Sequence, residues 1–243
     1  VSDYRILGLY LNNKMSWTTH VNYIISKASK RLLILHKHRF ILPRLALERL
    51  YLTMIRPILE YGNVIFDNLP NNLSDQLELL QRKAAIICTG AYRLTEHRTL
   101  LRELGWDLLK DRRSKNRLCV YYKIIHKIYP SYLFELLPPQ VSDLSQYNLR
   151  NRANINLYPT RLTSFSKSFF PDTTKRWNNL PLQTRQLPTY ISFKNTLRDR
   201  KPRNQYHLMG IGKSNTHLCR LRLGLSALNS QRFKYHITDT PVC

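Results

Sequence analysis

TTHVNYIISKASKRLLILHK, residues 18–37, sets how the rest of the chain reads. Val21, Ile24, Ile25, Ala28, Leu32 and Leu35 recur at three- and four-residue spacing, so a helix gathers them on one face. Lys27, Lys30, Arg31, Lys37 and, just beyond, Arg39 fall largely off that face. An apolar stripe with cations outside it predicts an amphipathic helix packed in a bundle, with Thr18 or Thr19 as its N-cap.

Toward the N-terminus, Tyr4–Leu11 (YRILGLYL) carries β-branched and aromatic residues around Gly8 and predicts a short strand or hairpin. Asn12-Asn13-Lys14 is the expected turn, with Met15-Ser16-Trp17 pairing back. Toward the C-terminus, Pro43 opens a second helix with a core stripe of Leu47, Leu50, Tyr51, Met54, Ile55 and Leu59. Pro57 is expected to kink it and Gly62 to close it. Ser74 is the expected cap of a third helix, with Leu77, Leu80, Ala84 and Ile87 facing in and Gly90 as its stop. Glu96–Leu104 ends at Gly105, and a longer helix over Leu108–Ile128 is stopped by Pro130.

After Pro138-Pro139 the texture changes to a stretch rich in Asn, Ser, Thr and Arg with weak periodicity, over 140–170. Pro171–Asn178 and Ser192–Arg200 read as short helices around the Leu180-Pro181 turn, and Leu218–Leu228 as one more helical patch. The fold class is mainly α: a helical bundle with a short N-terminal β-strand or hairpin and a loop-rich, basic C-terminal part. The expected divisions are 1–17, 18–138, 139–202 and a basic tail over 203–243.

The charge balance bounds the function. Lys and Arg number 39 against 15 Asp and Glu in 243 residues, a formal net charge of +24. Residues 1–122 carry 20 basic and 10 acidic groups, and residues 123–243 carry 19 and 5. Such an excess repels itself in a compact chain, and a polyanion relieves it. Nucleic acid is the commonest such partner, and an anionic membrane is the next. Hydrophobic residues at 43% supply a packed core. No segment approaches ~20 consecutive apolar residues, and the first 17 residues lack the apolar region of a signal peptide. Cys88, Cys119, Cys219 and Cys243 are few and widely spaced, as in a reducing intracellular compartment. The first residue is Val, which reads as a piece of a longer product or a processed one.

Chemistry-bearing patterns are sparse. Two-metal polynucleotide synthesis needs clustered carboxylates, and the nearest approach is Asp107 with Asp111, one turn apart at a helix start, where capping explains them. No G-x-S-x-G occurs, and Gly210-Ile211-Gly212-Lys213 lacks the strand–loop–helix context of a phosphate loop. His207, His217, Cys219, His236 and Cys243 crowd the last 40 residues without the paired spacing of a zinc site. No catalytic or metal residue is assigned.

The basic groups say more. Lys27, Lys30, Arg31 and Lys37 lie on the first long helix, Arg82 and Lys83 on the third, and Arg112, Arg113, Lys115 and Arg117 at the start of the long one. A solvated helix face is the ordinary fate of each run. Three such faces in one bundle suggest a groove that positions a duplex by its phosphates. Trp17, Trp106, Trp177 and the 15 tyrosines offer stacking surfaces, though each tryptophan sits where it can cover a core edge.

In this order the segments resemble the region after the palm in LINE-type (non-LTR) retrotransposon reverse transcriptases. The likeness rests on ILGLYLNNKMSW (6–17), ISKASKRL (25–32), LYLTMIRPILEYGNVIF (50–66), LELLQRKAAIICTG (77–90) and LRELGWDLLKDRR (101–113). YKIIHKIYPSYL, RWNNLP, SFKNTLRD and RLRLGLSALNSQRF follow in sequence. The resemblance implies that residues 1–17 end a palm, that the helices after it form a thumb, and that the thumb's basic face grips a primer–template hybrid. RNA, DNA or their hybrid and the upstream palm and fingers are the implied partners. Membrane is not among them. Mg²⁺ is implied for the parent polymerase and no cofactor for this chain. The family's endonuclease and Asp-Asp motifs have no counterpart here, so no catalytic residue carries over, while Cys243 would open a Cys/His cluster lying beyond it. Nucleus and cytoplasm, in a ribonucleoprotein, are the implied locations. A decayed or domesticated remnant acting as a standalone RNA/DNA-binding module is the alternative.

Overall fold

The computed structural model describes residues 3–13, 16–144, 147, 152–198 and 213–225, the side chains of 213–215 excepted. Lys14 of the expected turn, Met15 of the segment expected to pair back, His207, Gly210-Ile211-Gly212, His236 and Cys243 lie outside the described residues. The fold is mainly α with a short antiparallel hairpin at its N-terminus.

β1 (Asp3–Ile6) pairs with β2 (Leu9–Asn12), Tyr4 opposite Leu11 and Ile6 opposite Leu9. The hairpin therefore closes within Tyr4–Leu11, rather than at the Asn12-Asn13-Lys14 turn expected to follow it. Leu7 and Gly8 both sit at positive φ, 48° and 85°, as a two-residue turn matched to strand twist requires. A Cβ on Gly8 would also stand 3.4 Å from the Tyr61 ring.

α1 (Thr18–Lys37) starts from Trp17, whose carbonyl accepts the Val21 N–H at 2.8 Å. Thr19 does not cap it: its hydroxyl donates to Asp3 at 3.3 Å. α2 (Arg44–Leu50) follows Pro43 and runs through a π turn, Tyr51–Ile55, into α3 (Arg56–Glu60). Pro57 has no N–H for a carbonyl one turn back, and the widened turn just before it accommodates that loss. Leu47, Tyr51, Ile55 and Leu59 are buried along this rod. Met54, expected in the stripe, is exposed.

α4 (Asn71–Thr89) begins right after Pro70, so Ser74 is buried inside the helix rather than capping it. Gly90, at φ 65°, ends it. α5 (His97–Leu104) closes on Gly105, with the Trp106 N–H reaching the Leu101 carbonyl at 2.9 Å, a Schellman closure. α6 (Leu109–Ile125) stops short of Lys127, which has φ 54°. Shorter helices follow: α7 (Ser131–Glu135), α8 (Val141–Leu144), α9 (Thr163–Ser166), α10 (Phe169–Asn178), α11 (Leu182–Arg185) and α12 (Tyr190–Thr196). α12 is capped by Thr189, whose hydroxyl accepts the Ser192 N–H. α13 (Lys213–Arg222) is the last described element. Among the described residues no helix is long and apolar enough to cross a membrane.

The chain divides into two compact units. One draws on the described residues of Val1–Tyr61, Leu69–Leu109 and Lys201–Cys243, the other on those of Gly62–Asn68 and Lys110–Arg200. In the first, α1 packs on α3, α4 and β2. Val21, Ile24, Ala28, Leu32 and Leu35 go into its core with Leu77, Leu80 and Ala84. At about 1.5–3 kcal/mol for each fully buried large aliphatic side chain, this shared face is the main reason α1 is a helix. The Tyr51 and Trp106 rings stack at 4.1 Å. α13 packs on α4, where a Cβ on Gly90 would clash with Thr216 at 2.5 Å.

The second unit is built on aromatic packing. Tyr121 and Tyr122 of α6 meet Trp177 of α10 and Phe193 of α12, with the Tyr122 and Phe193 rings 4.6 Å apart. This cluster explains why the division falls near residue 110 and not at Pro138-Pro139. The apolar face of α6 is completed by residues that follow the loop-rich stretch, and the tail helix α13 joins the first unit.

Candidate nucleic-acid interface

α1 contains no Asp or Glu over its 20 residues. Lys27, Lys30 and Lys37 are exposed, Lys30 and Lys37 opposite the buried stripe and Lys27 on its flank. The lysines do not all line one groove. Lys27 borders a hollow of about 260 Å³ shared with Arg5, His20, Tyr23, Ile58 and Tyr61, on the side of α1 that meets α3. Arg31 leans the same way, donating to the Met54 carbonyl at 3.4 Å. Lys83 borders a different hollow, on the side of α1 that meets α4. Lys30 and Lys37 line neither.

Around the first hollow, cations and rings alternate. The Arg5 guanidinium lies 5.6 Å from the Tyr10 ring and 5.7 Å from the Tyr23 ring, and the Lys27 ammonium lies 5.8 Å from the latter. Burial lowers the His20 pKa below its ordinary value, keeping the imidazole neutral at pH 7. Its Nδ1 receives the Tyr10 N–H at 3.5 Å. Cations beside aromatic faces can hold a phosphate and stack a base together.

Arg82 has a structural task. Its Nη2 donates to the Arg93 and Thr95 carbonyls at 2.9 and 3.0 Å, tying the segment after α4 back to that helix.

The run on α6 departs from expectation more sharply. Arg113 and Arg117 are 2% and 1% exposed, so neither is on a solvent face. Both turn to Asp67, at 3.6 and 3.2 Å, and Arg176 joins them at 2.9 Å. Arg117 also donates to the Thr173 hydroxyl and to the Ser168 and Phe169 carbonyls. Burial pushes its pKa down, and the Asp67 and Asp172 carboxylates oppose that shift. Arg112 and Lys115 are half-buried and have interactions of their own. The α6 arginines thus hold the second unit together, and of the three basic faces expected from sequence only the α1 and α4 lysines are left exposed, on no common groove. A signal for this was present: Arg113, Arg117 and Tyr121 fall four apart, on the face that Tyr121 marks as core.

A second buried ionic cluster, unremarked in the sequence, pins α13. Arg44 is 3% exposed; it donates to Glu48 at 2.7 Å, Glu103 at 2.9 Å and the Cys219 sulfur at 3.0 Å. Arg222 reaches Glu103 at 3.2 Å. Burial works against the Glu103 carboxylate, but the hydrogen bonds from Arg44 and Arg222 outweigh it and hold its pKa below the ordinary value. Cys219 is therefore a buried acceptor, and His217 is exposed. Among the described residues no three His, Cys, Asp or Glu side chains gather to hold a metal ion. Trp106 and Trp177 are buried in their respective cores, and Trp17 is half-buried.

Comparison of the chain with protein-family models, curated proteins and solved structures finds no match.

Proposed function

We propose that the chain binds the backbone of a nucleic acid, as the thumb and post-thumb part of a retroelement reverse transcriptase whose catalytic carboxylates lie outside it. The observation that carries this reading is α1, a carboxylate-free helix with exposed Lys27, Lys30 and Lys37 in a chain of net charge +24. Contacts of this type go to phosphates and read no sequence. Lys83 extends the basic surface from α4, while the Arg5–Tyr23–Lys27 hollow offers a stacking partner at one flank. The resemblance of the segment order to non-LTR reverse transcriptases is the reason for taking an RNA–DNA hybrid as the target.

The test is fluorescence anisotropy with a labelled RNA–DNA hybrid across a salt series. Log affinity is expected to fall linearly with log salt by ~0.7–0.9 per phosphate contacted, with little dependence on base sequence. A flat salt dependence would refute the reading.

A further inference from the structure

A second surface of the first unit has a different character. Two adjoining hollows, of about 310 and 250 Å³, run between α1 and α4 and share His36, Ile86 and Ile87 as walls. Together they make a trough. Leu33 lines one end and is 70% exposed; Phe40 lines the other and is 58% exposed. Such large side chains left in water beside a preformed hollow mark a contact surface.

The charged groups of this trough all have one sign. Lys83 and Arg93 stand at the Leu33 end, and Arg39 and Arg220 at the Phe40 end. Among the described residues no Asp or Glu lines either hollow. Arg220 is fixed there, its Nε donating to the Gly90 carbonyl at 2.8 Å and its guanidinium 4.6 Å from the Tyr92 ring. The tail helix α13 thus closes one end of the trough. A floor of leucine, isoleucine and phenylalanine offers a sugar–phosphate strand no hydrogen-bonding partner along its length. It does gain from apolar side chains, while the cationic rim attracts carboxylates.

We propose that this trough docks an amphipathic helix of a partner protein, its apolar residues at i, i+3, i+4 and i+7 seated on Leu33, Ile86, Ile87 and Phe40, and its flanking Glu or Asp residues facing Lys83, Arg93, Arg39 and Arg220. This is helix-in-groove recognition, in which apolar anchors give affinity and complementary charge gives partner choice. It shares Lys83 with the proposed nucleic-acid surface, but its apolar anchors Leu33, Ile86, Ile87 and Phe40 have no part in that reading.

The experiment uses the full chain and two labelled helical peptides, one with leucines at those four positions and glutamates flanking them, the other with lysine in place of every glutamate. The acidic peptide is expected to bind about ten-fold or more tightly than the basic one, and Leu33→Ser to weaken it by a similar factor. Arg93→Gln is expected to weaken the acidic peptide alone. Leu33 is exposed enough that Leu33→Ser leaves the fold intact, which circular dichroism checks. Equal binding of the two peptides, binding of neither, or indifference to Leu33→Ser overturns the proposal. So does a loss of RNA–DNA hybrid affinity in Leu33→Ser, since the trough would then belong to a nucleic-acid surface. If hybrid binding fails while the acidic peptide binds as expected, only the proposed function falls.

Discussion

Asp67→Asn tests the claim that Arg113 and Arg117 are structural. The substitution keeps the side-chain shape and removes its charge. Asp67 is buried and faces the buried Arg113 and Arg117 side chains at 3.6 and 3.2 Å, with Arg176 at 2.9 Å. Removing one partner of a buried ion pair costs about 3–5 kcal/mol because the remaining charge is stranded. Two features place this case near the lower end. Arg176 is 35% exposed and partly hydrated, and Asp172 remains 3.7 Å from Arg117. The expected loss is about 3 kcal/mol, a large fraction of the ~5–15 kcal/mol that usually holds a domain. The assay is native-state amide hydrogen exchange on α6 and α10, the helices that carry the arginines. Protection governed by global opening of that unit is expected to fall roughly a hundred-fold. Lys30→Gln, an exposed change, serves as the control and is expected to stay within about 0.5 kcal/mol of the parent. A loss under ten-fold in Asp67→Asn would mean that the arginines are not held by this carboxylate.

Three further outcomes are expected. Replacing Lys27, Lys30 and Lys37 together with Gln lowers the salt slope of hybrid binding by ~0.7–0.9 for each lysine that meets a phosphate, and an unchanged slope removes α1 from the interface. His20, His97 and His126 have pKa values lowered from 6.5 by burial, which for His97 is reinforced by Arg82. The unfolded chain therefore binds protons first, so stability is fully present above pH 6.5 and declines as the pH falls below it, with Glu103 adding a further loss below its ordinary 4.5; urea midpoints at pH 7.5, 6.5 and 5.5 should fall in that order. Leu7→Asn relieves a leucine held at φ 48° and 85% exposed, and is expected to raise stability by about 1 kcal/mol in urea titration, whereas a loss would show that the turn tolerates leucine without strain.

Much of the helical framework is legible because it is local. Five of the six stripe positions read for α1 are buried, Ile25 being half-buried, since three- and four-residue spacing alone aims them at one partner. Gly90 and Gly105 end helices as read, because positive φ is a backbone requirement that glycine meets on its own. The hairpin turn was misplaced because Leu7 is an unusual residue at positive φ, and the asparagines further on carry the stronger turn chemistry. Ser74 was read as a cap because capping residues and buried serines look alike until the preceding Pro70 is seen to start the helix.

The amino-acid sequence by itself determined the mainly helical class, the amphipathic character of α1 and the large positive charge, since propensity, periodicity and composition need no distant partner. The tertiary structure alone decided what each cation does. Arg117 finds Asp67 across 50 positions and Arg176 finds it across 109. Arg44 finds Cys219 across 175. A run of arginines in sequence has charge but no direction. Only packing tells whether a guanidinium is buried against a carboxylate, as on α6, or a cation is left in water, as the lysines of α1 are.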